Sequence, residues 1–474
     1  MKSVPVAVNG YPRDYGCCDQ ICSQQYCGVA ILGDAMKTPL VHVLVINWNG
    51  REHLSECFET LLASSYPNVR YVLIDNASTD GSVAFVRERY ASDPRVEIVE
   101  CPRNLGWSGG NNVGLRRALE VGADYVFLLN NDTATAPDAI EKLVTAAERN
   151  PRIGALAPKM LLYDEPRLLN SVGLACSVIG SSWDIGIGRL DGPQWDEPAP
   201  VIGVCGGACF LRADAVRRAG LLPEDFGIYL DDLDLCLRIW NAGYEVRKCA
   251  EAVVRHKFGA TMEQGKATRR KYYLNTRNRL YVILRNFPLS KCFLVAAAVL
   301  TGECRAVGRA ILDGEGWRVA AHVRAWLAGA AYVPRACKER AYRRRQGLGR
   351  CLFWVLVRTD CLFFGGTEFP KDGWYAARVV KGALVRPISA CARLDVGEGR
   401  LRVTVMNCYP HLGRAVIDIT SEGRLVATLE TDGQVEQVLD VARGRVEFAA
   451  QRIFSADETG ETFDIGGWIG VELP

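Results

Sequence analysis

The stretch Tyr125-Val126-Phe127-Leu128-Leu129-Asn130-Asn131-Asp132 is a short apolar run that stops abruptly in polar residues. An apolar run of this length, bounded by polar residues, predicts a strand buried on both faces of a parallel sheet. In open α/β sheets ligands collect in the crevice beyond the carboxyl ends of the strands, which puts Asn130, Asn131 and Asp132 at a candidate site. A carboxylate flanked by amides suits a hard divalent cation, because Mg2+ takes oxygen ligands and is commonly held by one or two carboxylates together with substrate phosphates and water. Asn and Asp also end strands simply because they favour turns, and this stretch alone supports both readings equally.

Outward from this run the chain alternates between strand and helix. Val41 to Ile46 is an apolar strand ending in Asn47-Trp48-Asn49-Gly50, and Leu54, Phe58, Leu61 and Leu62 then mark a helix from Arg51 to Ser64. A second strand, Val69 to Ile74, ends in Asp75-Asn76-Ala77-Ser78-Thr79-Asp80-Gly81; Val83 to Tyr90 is a helix and Val96 to Val99 a third strand. A helix over Ser108 to Val121 is entered through Asn104-Leu105-Gly106-Trp107-Ser108-Gly109-Gly110-Asn111-Asn112. This alternation predicts a parallel sheet with right-handed crossovers, so Asp75 and Asp132 end strands on one rim. The rim suits a nucleotide. Asp75 is placed to accept a pyrimidine ring N–H or a ribose hydroxyl, while the glycine-rich turn brings backbone amides near phosphate. Each signal has a plain alternative, a turn at Asp75-Asn76 and a loop at Gly109-Gly110; their order along the chain favours the site.

Tyr163 to Pro200 is rich in Gly, Ser and Trp and predicts a substrate-facing insertion. In Val204-Cys205-Gly206-Gly207-Ala208-Cys209 the small residues allow backbone to approach a ligand or a neighbouring strand closely. Asp231, Asp232 and Asp234 open a helix whose Leu233, Leu237 and Trp240 share a face. One acid there needs no more than the helix macrodipole, but this cluster points to a carboxylate general base, with Asp232 lying off the apolar face. His256 follows a short apolar strand and is one of 5 histidines. A lone histidine is usually structural; here its nitrogen would complete a metal site with Asp132, a mixture that Mn2+ tolerates.

A length of 474 residues exceeds one ordinary core and predicts two or three domains. The net charge of +3 gives no global drive toward nucleic acid, and no nucleic-acid partner is expected. The 18 cysteines have no regular spacing and several sit in apolar segments, which reads as reduced thiols in a cytoplasmic protein rather than a disulfide scaffold. Residues 1–38, with Cys17, Cys18, Cys22 and Cys27, match no zinc-ligand spacing and predict a disordered extension. The longest uninterrupted apolar run, Cys292 to Leu300, falls well short of the roughly 20 residues that span a bilayer.

Taken in order, Asn47-Trp48-Asn49-Gly50, Asp75 with its Asn-Ala-Ser-Thr-Asp-Gly-Ser, Asn104 to Asn112, Leu129-Asn130-Asn131-Asp132, Gly206-Gly207-Ala208 and Asp231-Asp232-Leu233-Asp234 resemble family 2 glycosyltransferases, most closely bacterial rhamnosyltransferase-like members. The resemblance covers about residues 40 to 290. It implies a GT-A type fold, an α/β Rossmann-like mixed sheet over residues 39–290, and inverting transfer of a sugar from a nucleotide diphosphate to an acceptor hydroxyl. It implies Asp232 as catalytic base with Asp231 beside it, and Asp132 and His256 as ligands of Mg2+ or Mn2+. Asn130 stands where the family's metal motif usually has its first aspartate. Asn47, Asn49, Asp75, Asn104, Gly109, Gly110, Asn111 and Asn131 would hold the nucleotide; Trp107, Gly206, Gly207, Arg277 and Asn278 would face the donor sugar or the acceptor. The donor would be a pyrimidine nucleotide sugar such as dTDP-rhamnose or a UDP-sugar, and the acceptor a lipid-linked or polysaccharide hydroxyl in cell-surface glycan synthesis. A nucleotidyltransferase and a non-catalytic glycan-binding protein on a degenerate scaffold are the alternatives.

Residues 291–365 read as helical, with a basic block from Arg335 to Arg350 beside apolar stretches. That pairing suits peripheral contact with the inner face of the cytoplasmic membrane. Residues 366–474 alternate with period two and predict a β-sandwich. Trp374, Tyr409 and Trp468 there are either core or a sugar-stacking surface.

Overall fold

A computed structural model describes residues 38–164, 166–189, 191–257, 266–312, 314–349 and 351–358, and the C-terminal segments 378–380, 383–388, 391–396, 399–407, 414–441, 444–451 and 467–472. The predicted extension through residue 37, Arg350, Trp374 and Tyr409 lie outside them, as does the side chain of Trp468. Strands β1 (Val41–Asn47), β2 (Val69–Asp75), β3 (Val96–Glu100) and β4 (Tyr125–Asn130) alternate with helices α1 (Arg51–Leu62), α2 (Ser82–Tyr90) and α3 (Gly106–Glu120). There follow β5 (Thr133–Thr135), α4 (Ala139–Arg149), β6 (Ile153–Leu162), β7 (Leu169–Ser171), β8 (Leu174–Ser177), β9 (Ser182–Asp184), β10 (Ala208–Arg212), α5 (Ala213–Ala219), α6 (Asp231–Asn241) and β11 (Glu245–His256).

The sheet order is β3-β2-β1-β4-β10-β6-β11-β5, with β7 on β6. The predicted parallel arrangement holds through β4. Beyond it β10 runs antiparallel to both β4 and β6, while β11 is parallel to β6, giving the mixed sheet that the resemblance implies. The register sets Asn47 opposite Asp75 and Ile46 opposite Asn130, so the polar strand ends fall in one row. Every residue of β1 is buried because helices cover both faces. Val41, Val43 and Val45 join the cluster beneath α1 and α4, and Leu44 joins the cluster shared with α3 and α6. That two-sided burial is why these strands read as continuous apolar runs.

Helix α3 starts at Gly106, two residues before the helix predicted from the sequence. Gly109 and Gly110 are therefore buried inside its first turns rather than lying in a free turn. A Cβ on Gly110 would stand 2.5 Å from Ile46 Cδ1, so this glycine lets α3 press onto β1.

The helical segment comprises α7 (Lys266–Asn286), α8 (Cys292–Leu312) and α9 (Gly316–Arg345), followed by the short strand β12 (Val357–Arg358) beside β8. Part of its basic block is engaged within the fold, while Lys338, Arg344 and Arg345 are exposed. Arg340 donates to the carbonyls of Ile283 and Phe287, Arg343 to the Asn286 side chain, and Arg335 pairs with Asp225 and Glu339.

The C-terminal strands are β13 (Arg378–Val380), β14 (Ala383–Ile388), β15 (Cys391–Val396), β16 (Gly399–Met406), β17 (Ala415–Ser421), β18 (Arg424–Thr431), β19 (Gln434–Val441), β20 (Gly444–Ala450) and β21 (Gly467–Glu472). They form sheets ordered β13-β14-β21-β16-β19 and β15-β20-β17-β18. Leu401, Val403 and Val405 of one sheet share a core with Ile417, Ile419 and Phe448 of the other, which is the predicted β-sandwich.

Candidate active site

The row of strand ends builds one half of the site. Asp75 is buried; its carboxylate accepts from Asn47 Nδ2 at 3.1 Å and from the Ser78 backbone N–H at 2.9 Å. Asn47 Oδ1 in turn accepts from Asn131 Nδ2 at 2.6 Å, so Asp75, Asn47 and Asn131 form one hydrogen-bonded line across β2, β1 and β4. Asn49, at φ +51°, ties the two strand-end loops together through Ser78 and Thr79. Asn104 Oδ1 caps the Gly106 N–H and accepts from Asn76. Asn111 turns back to the Trp107 carbonyl, leaving its Oδ1 a buried acceptor without a partner.

The other half centres on Gly206-Gly207. The Gly206 N–H donates to Asp232 Oδ2 at 2.8 Å, and the Trp107 ring lies so close that a Cβ on Gly206 would meet it at 2.8 Å. Trp107 Nε1 donates to Asn130 Oδ1 at 3.1 Å, the Asn130 N–H donates to the Gly207 carbonyl, and Gly207 faces the His256 ring. Candidate base, candidate metal ligand and the end of β4 therefore meet around two glycines, where any side chain would intrude.

Asp231 and Asp232 open α6, where the helix dipole favours carboxylates. Burial nevertheless pushes the Asp232 carboxyl up to about 7, aided by the charge of Asp231 and less so of Asp184, against the pull of the Gly206 and Leu233 N–H groups. Burial also raises Asp231, which accepts from the Ser108 hydroxyl. Tyr229 and Leu230 precede them at φ +73° and +63°, a conformation that bulky residues rarely adopt. Asn278 Nδ2 holds that bend through the carbonyls of Phe226, Ile228 and Tyr229, and Arg277 binds those of Asp225 and Phe226. These two residues thus reach the site through the backbone that aims Asp231 and Asp232. The third acid, Asp234, faces away: although burial opposes it, Arg285 and Arg238 hold its carboxyl down at about 2, and Asn286 donates to it at 2.7 Å.

His256 Nδ1 lies 2.8 Å from Asn170 Oδ1; in the tautomer in which Nδ1 donates to that oxygen, Nε2 carries the lone pair. Nε2 then presents its lone pair 3.2 Å from Asp132 Oδ1, a buried carboxylate oxygen with no hydrogen-bond partner. Two acceptors turned toward each other fit a cation between them. No cluster of three or more His, Cys, Asp or Glu residues that could hold a metal ion occurs among the described residues; Asp132 and His256 by themselves would make only part of a ligand set, the remainder coming from substrate phosphates and water. Asn130 is not free for this purpose, since Trp107 occupies its Oδ1.

Sequence reasoning missed Asn170, Ser108 and Asp184. Asp184, on β9, has a buried Oδ1 without a partner, and burial raises its carboxyl while hydrogen bonds with Ser171 and Cys205 draw it down. It belongs to the 163–200 insertion, whose only signal was its Gly, Ser and Trp content.

Residues 42–216 match the model of glycosyl transferase family 2. The N-acetylglucosaminyl-diphospho-decaprenol L-rhamnosyltransferase of Mycobacterium tuberculosis is 28% identical over 243 residues, covering 47% of this chain and 78% of that protein. An uncharacterised glycosyltransferase of Haemophilus influenzae is 28% identical over 229 residues, 46% of this chain and 65% of that one. Among solved structures, the mannosyltransferase PcManGT of Pyrobaculum calidifontis, in complex with GDP-Man and Mn2+, aligns with a TM-score of 0.42 at 18% identity, over 66% of this chain and 83% of that one. With the family's motifs gathered on one rim of a mixed sheet, the chain carries a glycosyl transferase family 2 domain and is rhamnosyltransferase-like.

Proposed function

We propose that this glycosyltransferase is inverting and moves a hexose or deoxyhexose from a pyrimidine nucleotide diphosphate, dTDP-rhamnose or a UDP-sugar, to a hydroxyl of a lipid-linked or polysaccharide acceptor. The observation that carries the reading is Asp232, a carboxylate poised near neutrality beside the Gly206 backbone and the Trp107 ring, across Gly207 from His256. Asp232 takes the acceptor hydroxyl proton as the oxygen bonds to the anomeric carbon; the carbon–oxygen bond to the diphosphate breaks on the opposite face, and the diphosphate leaves with the electron pair. One displacement inverts the centre. Asp132 and His256 would hold a divalent cation, Mg2+ or Mn2+, which supplies positive charge to the diphosphate. Asp75, Asn47 and Asn131 orient the nucleoside, and Asn278 fixes the bend that aims Asp232. A lipid-linked acceptor agrees with the acceptor named for the mycobacterial relative; on this reading the work would be done at the cytoplasmic face of the membrane.

The test is a thermal-shift panel of UDP, dTDP and GDP with and without Mn2+ or Mg2+. A ligand at a hundredfold excess over its Kd stabilises by about 2.7 kcal/mol. A metal-dependent rise with one pyrimidine diphosphate, losing its metal dependence in Asp132→Ala, is expected. No rise with any diphosphate would sink the transferase reading.

A further inference from the structure

Of the 19 exposed large hydrophobic residues described, 13 fall between Leu289 and Val355. They are not scattered. Along α8, Phe293, Ala297, Leu300, Cys304 and Ile311 follow one another at helical spacing on a single exposed face, with Phe293 88% and Leu300 66% exposed. At about 1.5 Å per residue that uncharged stripe runs roughly 27 Å. Helix α9 packs against α8 and exposes Val323, Trp326 and Leu327. An uncovered apolar face of this extent marks an interaction surface.

The charges around it identify the partner. Every exposed charged side chain on α8 and α9 is a cation, from Arg305 and Arg309 to Arg324, Lys338, Arg344 and Arg345. The two acids on these helices are both paired: Glu303 is buried against Arg279, His322 and Trp326, and the part-exposed Glu339 is held by Arg285 and Arg335. A second copy docked about a two-fold axis would set this cationic rim against itself. An anionic lipid surface satisfies both features, apolar face into the acyl boundary and guanidinium groups among the headgroups. Glu303 is buried midway along α8, which fits a helix lying in the membrane plane on its opposite, exposed face; no single described helix is long and apolar enough to cross a bilayer, although by length and composition the bent pair of α7 and α8 would suffice.

We propose that the α8–α9 face docks on an anionic lipid bilayer. It would hold the family 2 domain at the surface where a lipid-linked acceptor resides, and so deepens the reading above without depending on sugar transfer.

The test is flotation of the full-length protein with vesicles of phosphatidylcholine containing one part in three phosphatidylglycerol, against phosphatidylcholine alone. Partition onto the anionic vesicles is expected to fall roughly tenfold in Phe293→Ser/Leu300→Ser/Leu327→Ser. It should fall also in Arg344→Glu/Arg345→Glu, which alters no apolar contact, while both variants keep the parent melting temperature. Wild-type protein that floats with neither vesicle overturns the proposal. So does a dimer in light scattering that the apolar triple substitution dissociates. Because no nucleotide or acceptor is present, failure here leaves the transferase reading standing.

Discussion

The pH dependence of transfer is the most direct consequence of the Asp232 environment. With its carboxyl at about 7, Asp232 is about half ionised at pH 7, roughly one-tenth at pH 6 and above nine-tenths at pH 8. If it is the base, kcat/KM measured by nucleoside diphosphate release at subsaturating acceptor should fall about fivefold from pH 7 to 6 and rise less than about twofold from 7 to 8. A carboxyl at its ordinary 3.8 would leave the profile flat through that range. Asp231→Asn removes the neighbouring charge and should move the acid limb to lower pH. Stability runs the other way. The folded-state carboxyl titrates above its unfolded value, so the contribution of Asp232 is fully present below about pH 4 and is lost as pH rises through about 7. The difference is at most about 4 kcal/mol, reduced because the side chain is partly exposed. Asp232→Asn should therefore abolish turnover yet raise the melting temperature at pH 8. A flat profile, or a limb that Asp231→Asn leaves in place, would refute the assignment.

Asp75→Ala removes the acceptor of the Ser78 N–H and one of the two acceptors of Asn47 Nδ2, and should weaken nucleoside diphosphate binding about tenfold by calorimetry, the equivalent of roughly 1.4 kcal/mol; unchanged affinity would remove Asp75 from the nucleotide site. Asp234→Ala leaves the Arg238 and Arg285 guanidinium groups buried without their carboxylate and should cost about 3–5 kcal/mol in urea unfolding, whereas a loss below about 1 kcal/mol would show that the carbonyls and Glu339 suffice.

What could be read from the sequence follows from how each residue is constrained. Strands β1, β2 and β4 are buried almost throughout, so little but an apolar run fits, and each run ends in polar residues at the rim of the sheet; that made Asp75 and Asp132 visible as strand ends, whereas β3 at the sheet edge is only part-buried. Asp231 and Asp232 were visible because acids crowd one helix turn, but Asp234 belongs to the same crowd for a different reason. Only the folded chain separates it, by bringing Arg285 and Asn286 from α7 onto its buried side. Gly109 and Gly110 of α3 read as a phosphate turn because the absence of a side chain looks the same whether a ligand or a neighbouring side chain, Leu105 at Gly109 and Ile46 at Gly110, occupies the space.

The insertion was opaque for a further physical reason. Asn170 meets His256 across 86 residues, and its role is a single hydrogen bond that fixes which imidazole nitrogen faces Asp132. No periodicity accompanies such a contact, since β7 has only three residues and shows no alternation of faces. Apolar patterning records burial, which many residues share; the placement of one proton on His256 depends on one partner, and that partner becomes identifiable only once β6, β7 and β11 lie side by side.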